Sequence, residues 1–213
     1  MSDTTHTPQA EIPDDRQLPD EVDRVDDTLA TLRDHLVATF PSLEPLEYRG
    51  ELTLQASAEV VPDVIAFAKS DPVLACELLS DVSAVHWPAG ARDVNSQETT
   101  GWPTYTEVEE TGHIDVSWIL RSVSKGHWFR LRASLPDDNP VVASATAQYS
   151  SANFLEREVY DLMGVEFTGH PALTRIMMPD DWEGHPHRKD YPLGGVEVMY
   201  KGHTVSPPDE RDY

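Results

Sequence analysis

A single cysteine, no long apolar run and a shortage of basic residues set the first limits on this chain of 213 residues. One thiol, Cys76, cannot close an internal disulfide, and it cannot hold an iron–sulfur cluster, which needs several thiolates. Its setting, LACELL, is apolar, so Cys76 reads as a small buried side chain rather than a reactive thiol. No stretch approaches the roughly 18 apolar residues of a membrane-spanning helix. The opening MSDTTHTPQAEIPDD has neither a basic start nor an apolar centre, so no secretory signal is expected and a cytoplasmic address is. Sixteen Lys and Arg stand against 38 Asp and Glu, a net charge of −22. That field repels nucleic-acid phosphates and anionic lipid alike, so membrane association has to run through partner proteins.

What is present divides into three parts. Residues 1–27 carry nine acids and two arginines with Pro8, Pro13 and Pro19 among them, the composition of a disordered acidic leader. Residues 28–167 hold the patterned segments of an α+β core domain, and residues 168–213 read as an extended tail. In the core, Leu29, Leu32, Leu36 and Phe40 recur at helical spacing, with Asp26 or Asp27 to cap the start and Pro41 to end it. ELTLQAS (51–57) alternates like a strand. Val60, Val61, Val64, Ile65 and Ala68 line a second helix with Pro62 in its first turn. A further turn or two should follow Pro72, with Val73, Leu74, Leu78 and Leu79 pointing inward.

VSAVHWP (82–88) reads as a strand, followed by a weakly patterned loop through Gly101. Strands are expected over 104–110, 114–123 and 127–134, separated at hairpin spacing by Thr111–Gly112 and Lys125–Gly126. In the second of these we expect a bulge or burial on both faces around Ile114, Val116, Trp118 and Leu120. VVASAT (141–146) is a short strand or connector. The order predicts a mixed, largely antiparallel sheet with helices packed on one face.

The densest run of chemistry is EREVYDLMGVEFTGHPALTRIMMPDDWEGHPHRKDYPL, from Glu156 to Leu193. Asn153 and Glu156 have capping-box spacing, with Ser151 an alternative cap. Leu155, Val159 and Leu162 share one helical face, Arg157 and Asp161 are placed to pair one turn apart, and Gly164 can close the helix. Glu156 and Glu158 lie on different sides of that helix and do not converge as an acid/base pair. Beyond it, Pro171, Pro179, Pro186 and Pro192 remove amide donors and block a continuing helix. The remaining backbone groups must then find side chains, water or another surface. Trp182, Tyr191, Leu193 and Tyr200 recur as isolated anchors, and Arg188 and Lys189 form a positive spot suited to an acidic neighbour. The tail either grips a partner or wraps its own domain. His170, His185 and His187 with Asp180 and Asp181 offer a second, metal-binding reading, and with it a metal-dependent hydrolase.

The pattern E-R-E-x-x-D-L-M-G-x-x-F-x-G-H-P-x-L-x-R-I from Glu156 to Ile176 resembles the signature of the C subunit of respiratory NADH–quinone oxidoreductase, complex I. P-D-D-W-E-G-H-P-x-R-K-D-Y-P-L from Pro179 to Leu193 continues the likeness, and residues 70–88 and 144–153 are similar to earlier passages of the family. Phe154 stands where tryptophan is common and His187 where leucine is usual. The resemblance implies a non-catalytic structural component of the hydrophilic arm, packed against the D subunit and near the B subunit, close to the quinone site. It implies that this chain binds no cofactor itself. FMN and iron–sulfur centres in partner subunits would carry electrons from NADH to quinone, coupled to proton translocation, at the cytoplasmic side of the cell membrane. The residues it places against partners are Glu156, Arg157, Glu158, Asp161, His170, Arg175, Trp182, Arg188, Lys189, Asp190 and Tyr191. Related subunits of membrane-bound hydrogenases and other quinone oxidoreductases are an alternative.

Overall fold

Two ten-residue strands with strict alternation form the centre of the fold. In the computed structural model, which describes residues 27–94, 105–109, 111–191, 198–200 and 203–205, β6 (His113–Ser122) and β7 (His127–Pro136) form an antiparallel hairpin. Ile114, Val116, Trp118 and Leu120 are fully buried and lie opposite Leu135, Ala133, Leu131 and Phe129. Residues two apart on a strand share a face, so all four of β6 point into one core and its pairing with β7 is regular. The expected bulge is therefore misplaced. The irregularity lies in β3 (Leu78–Trp87), between Leu79 and Asp81.

Five strands join in the order β1-β2-β7-β6-β3. β2 (Glu51–Ala56) runs parallel to β7, whereas β1 (Glu44–Tyr48) with β2, and β3 with β6, are antiparallel. Helices α1 (Asp27–Thr39), α2 (Val61–Ser70) and α3 (Ala152–Met163) bury Leu32 and Leu36, Val64 and Ile65, and Val159 into the core that holds the inward faces of β2, β6 and β7. This is the α+β arrangement expected. Short parallel strands β8 (Val141–Ala143) and β9 (Glu166–Thr168) hold the segments on either side of α3 together.

Three further expectations need correction. Strand β4 (Gly90–Val94) falls within the stretch read as a loop, and β5 (Tyr105–Glu109) pairs with it rather than with β6. β1 has no counterpart among the expected strands. Residues 72–79 do not continue as an inward-facing helix: Leu78 and Leu79 already belong to β3, and Val73 and Leu78 are each 40% exposed while Leu74 and Leu79 are buried. Strands β10 (Val198–Tyr200) and β11 (His203–Val205) pair with each other. The anchoring roles expected of Leu193 and of the Tyr200 side chain, a cap from Asp26 or from the Asp27 side chain, and residues 1–26 of the acidic leader lie outside the described residues.

Candidate partner interface

Two of the acids of α3, Glu156 and Asp161, turn inward. Asp161 is fully buried, and its carboxylate accepts four hydrogen bonds from the segment that follows. Arg175 Nη1 donates to Oδ1 at 2.6 Å. The successive amides of Ile176, Met177 and Met178 donate to Oδ2 at 2.9, 2.7 and 2.8 Å. Burial alone would raise its pKa, but the amides of Met178 and Ile176, the Arg175 guanidinium and the Met177 amide together bring it down to about 2. The expected pairing of Arg157 with Asp161 is thus displaced. A buried carboxylate needs several donors at once, and an exposed turn-to-turn contact supplies only one.

Arg157 instead reaches the carbonyls of Thr174 at 3.0 Å and Arg175 at 3.1 Å. Arg175 also donates to the Gly184 carbonyl at 3.0 Å. His170 accepts the Ala172 amide at Nδ1, so its Nε2 carries the hydrogen and donates to the Asn153 carbonyl at 3.1 Å. His185 Nδ1 lies 2.9 Å from the Asp161 carbonyl and its ring meets Tyr160 edge-on. The His187 amide donates to the Leu162 carbonyl. Residues 170–187 therefore form a strap tied along α3, built with very little regular structure. Gly164 makes room for it: with φ +80° it closes α3, and a Cβ there would sit 2.6 Å from His185 Cδ2.

The far end of the strap is clasped by residues that the sequence pattern does not single out. His86 on β3, 1% exposed, accepts the Lys189 amide at Nδ1 and so donates through Nε2 to Asp137 at 3.4 Å. Arg188 donates to the Asp137 carbonyl at 3.0 Å and grips the Asp190 carboxylate through Nε and Nη2. The Asp137 carboxylate occupies the space a side chain at Gly112 would need. Tyr191 donates to the Glu183 carbonyl, with its ring against Gly184. No local pattern marks His86 or Asp137, whose partners lie 103 and 51 residues away.

Glu156 also departs from its expected role. Its carboxylate makes no cap, and neither does Ser151, whose hydroxyl donates to the Leu79 carbonyl. Fully buried, Glu156 accepts the Ala145 amide and the Ser144 hydroxyl, both at 2.6 Å. Burial raises its pKa, opposed by those two uncharged donors. A raised folded pKa means stability falls as pH climbs from the unfolded value of about 4.3 toward the folded one. Glu156→Gln keeps an acceptor for Ala145 and a donor toward Ser144. It should therefore leave stability within about 1 kcal/mol at low pH and abolish that downward slope, as read by urea unfolding across pH. A slope unchanged in the variant would show that another group carries it.

Of the remaining predicted residues, Glu158, Trp182 and Lys189 face outward, as do Asp180 and Asp181. No group of three or more histidine, cysteine or acidic side chains among the described residues is placed to hold a metal. His170 and His185 are instead spent on carbonyls at opposite ends of α3. No described helix is long and apolar enough to cross a membrane.

Comparison with known proteins decides the family. The pattern described as "Respiratory-chain NADH dehydrogenase, 30 Kd subunit" matches residues 54–197, which include β3, β6 and β7 of the central sheet, α3 and the strap. The chain belongs to that family. Among its relatives, the C subunit of NADH-quinone oxidoreductase from Acidothermus cellulolyticus is 42% identical over 190 residues, covering 89% of this chain and 88% of the relative. The protein of the same name from Mycobacterium tuberculosis H37Rv is 43% identical over 165 residues, 77% of this chain. The chain spans only 61% of that mycobacterial relative's length. A solved trypsin-resistant fragment of Nqo5 superposes with a TM-score of 0.50 at 26% identity, covering 68% of this chain and 99% of the fragment. A chain of an archaeal membrane-bound sulfane sulfur reductase shares the fold, with a TM-score of 0.53 at 22% identity over 77% of this chain and 85% of that one.

Proposed function

We propose that this chain is a non-catalytic structural component of a proton-translocating NADH–quinone oxidoreductase, held in the hydrophilic arm at the cytoplasmic side of the membrane by partners alone. The D and B subunits of complex I are the neighbours this reading assigns, with FMN and iron–sulfur centres carried by other subunits and none by this one. The division into an acidic leader, a core and a partner-binding tail belongs to the same reading.

One observation carries it. The strap is stapled to α3 through its polar groups, so that large apolar side chains are left outward: Met177 is 60% exposed, Ile176 and Trp182 are 39% exposed, and Phe154 on α3 is 62% exposed. The Arg157 guanidinium lies 5.8 Å over the Phe154 ring while binding the carbonyls just before Ile176 and Met177, so these groups belong to one unit. Large exposed apolar groups on a rigid, hydrogen-bonded support suit a permanent protein contact. The folding role of the charges and the contact role of the apolar residues are complementary: the first hold the second in place.

Co-purification of the tagged chain from membranes, with companions identified by mass and NADH–quinone activity measured, tests the assignment. Recovery of the chain without companions would end it. An equivalent place in a hydrogenase or a differently fed quinone oxidoreductase predicts companions lacking an NADH-binding flavoprotein. Lys189 offers a narrower test, because its amide is clasped while its side chain is exposed. Lys189→Glu should lower the assembled complex on native gels without lowering the amount of the chain. Arg188→Glu is less informative, since Arg188 also holds Asp137 and Asp190.

A further inference from the structure

Between β3 and α3 runs a cleft of about 270 Å³. Val82, Leu162 and Met163 contribute to its floor, and Asp81, Glu158 and His187 stand at its rim. Val82 and Leu162 are buried, whereas both carboxylates are exposed. The two acids arrive from different elements: Asp81 sits at the irregularity of β3, and Glu158 lies on α3, where it is exposed. Neither acid takes part in a side-chain hydrogen bond or ion pair among the described residues. Nearby charges of this helix are all occupied, Arg157 by the strap and Asp161 by Arg175.

We propose that this cleft is a socket for a basic side chain, lysine or arginine, presented by an extended segment of a neighbouring protein in the assembly. An apolar floor beneath two acids matches a long aliphatic stem that ends in a cation. The cation would find a carboxylate on either side, and the stem would cover apolar surface that water now meets. Charge complementarity favours this occupant over a second copy of the chain, because two molecules each of net charge −22 repel. The His187 amide is fixed to the Leu162 carbonyl, so the rim is held at the helix end rather than left to move freely.

The inference rests on the assembled-component reading above, and its test is chosen to separate the two. Asp81→Lys/Glu158→Lys is compared with Asp81→Asn/Glu158→Gln in the native membranes, reading chain abundance, assembled complex on native gels, and NADH–quinone activity. In parallel, a photo-cross-linking amino acid replaces Ser83, which also lines the cleft. The lysine pair should lower assembly by about tenfold or more with the chain still abundant, and the neutral pair should lower it less, as expected when like charges meet. The cross-linked neighbour peptide should come from another protein of the complex and contain lysine or arginine. Wild-type assembly of the lysine pair would overturn the socket. So would a cross-link to this chain's own residues, or to a segment with no basic residue. Co-purification of wild-type chain with its companions in those cases would leave the assignment to the complex intact.

Discussion

Asp161→Asn should destabilise the protein by about 3–5 kcal/mol, the usual consequence of removing one member of a buried, hydrogen-bonded charge pair. Asparagine keeps one carbonyl oxygen, but its amide nitrogen cannot accept. Where the carboxylate takes Arg175 on one oxygen and three successive amides on the other, one of those two sets must lose its acceptor. For a chain of this size the loss corresponds to a fall in Tm on the order of 10 °C. The pH dependence gives a second reading. The folded carboxyl titrates at about 2, below an unfolded value of about 3.9, so its stabilisation is present above the unfolded value and disappears as pH falls through the folded one. The gap between wild type and variant should therefore narrow on acidification from about pH 5 toward about pH 2. A constant gap would mean that packing, not charge, holds the strap.

The second large effect is expected at Gly164, where alanine should cost about 2–3 kcal/mol and free the strap from α3. Two causes add. The backbone at φ +80° is unfavourable for an L side chain, and the new methyl would meet the His185 ring, which is held against Tyr160 and the Asp161 carbonyl. They can be separated by adding His185→Ala, which removes the steric conflict and leaves the backbone cost. The double variant should recover part of the stability, an interaction energy measurable by a mutant cycle. Limited proteolysis should cut Gly164→Ala between 169 and 189 sooner than wild type while the sheet resists. Equal cutting would show that the strap does not depend on this approach.

Much of the core was legible because periodicity reports burial directly. β7 alternates residue by residue, and α2 repeats its buried Val64, Ile65 and Ala68 at helical spacing. The equal alternation of β6 was there to be read, but a bulge or two-sided burial was expected instead. β1 was invisible for the opposite reason. It is an edge strand, EPLEY, that buries none of its residues fully and carries Pro45, so it has no alternation to read. Val73 and Leu78 misled because exposed apolar residues look the same in sequence as buried ones.

Along α3 and the strap, Glu156, Arg157, Asp161 and Arg175 could be singled out from their motif, but not what they touch. Capping and turn-to-turn pairing are the local options, and both lost to partners 11 to 18 residues away. His86 and Asp137 gave no signal because a buried histidine in a strand resembles any other residue at that alternation until the strap returns to it.

The parallel pairing of β2 with β7 has a consequence for how the molecule comes into being. Thr53 meets Arg130, 77 positions later, so the third of the chain that leaves the ribosome first cannot finish its own sheet. The β6–β7 hairpin closes over a short connection and is the natural seed, with β2 recruited afterwards across a long loop. Until then Leu52 and Leu54 have no strand beside them on that edge, a period of exposure during synthesis when chaperones have the most to protect.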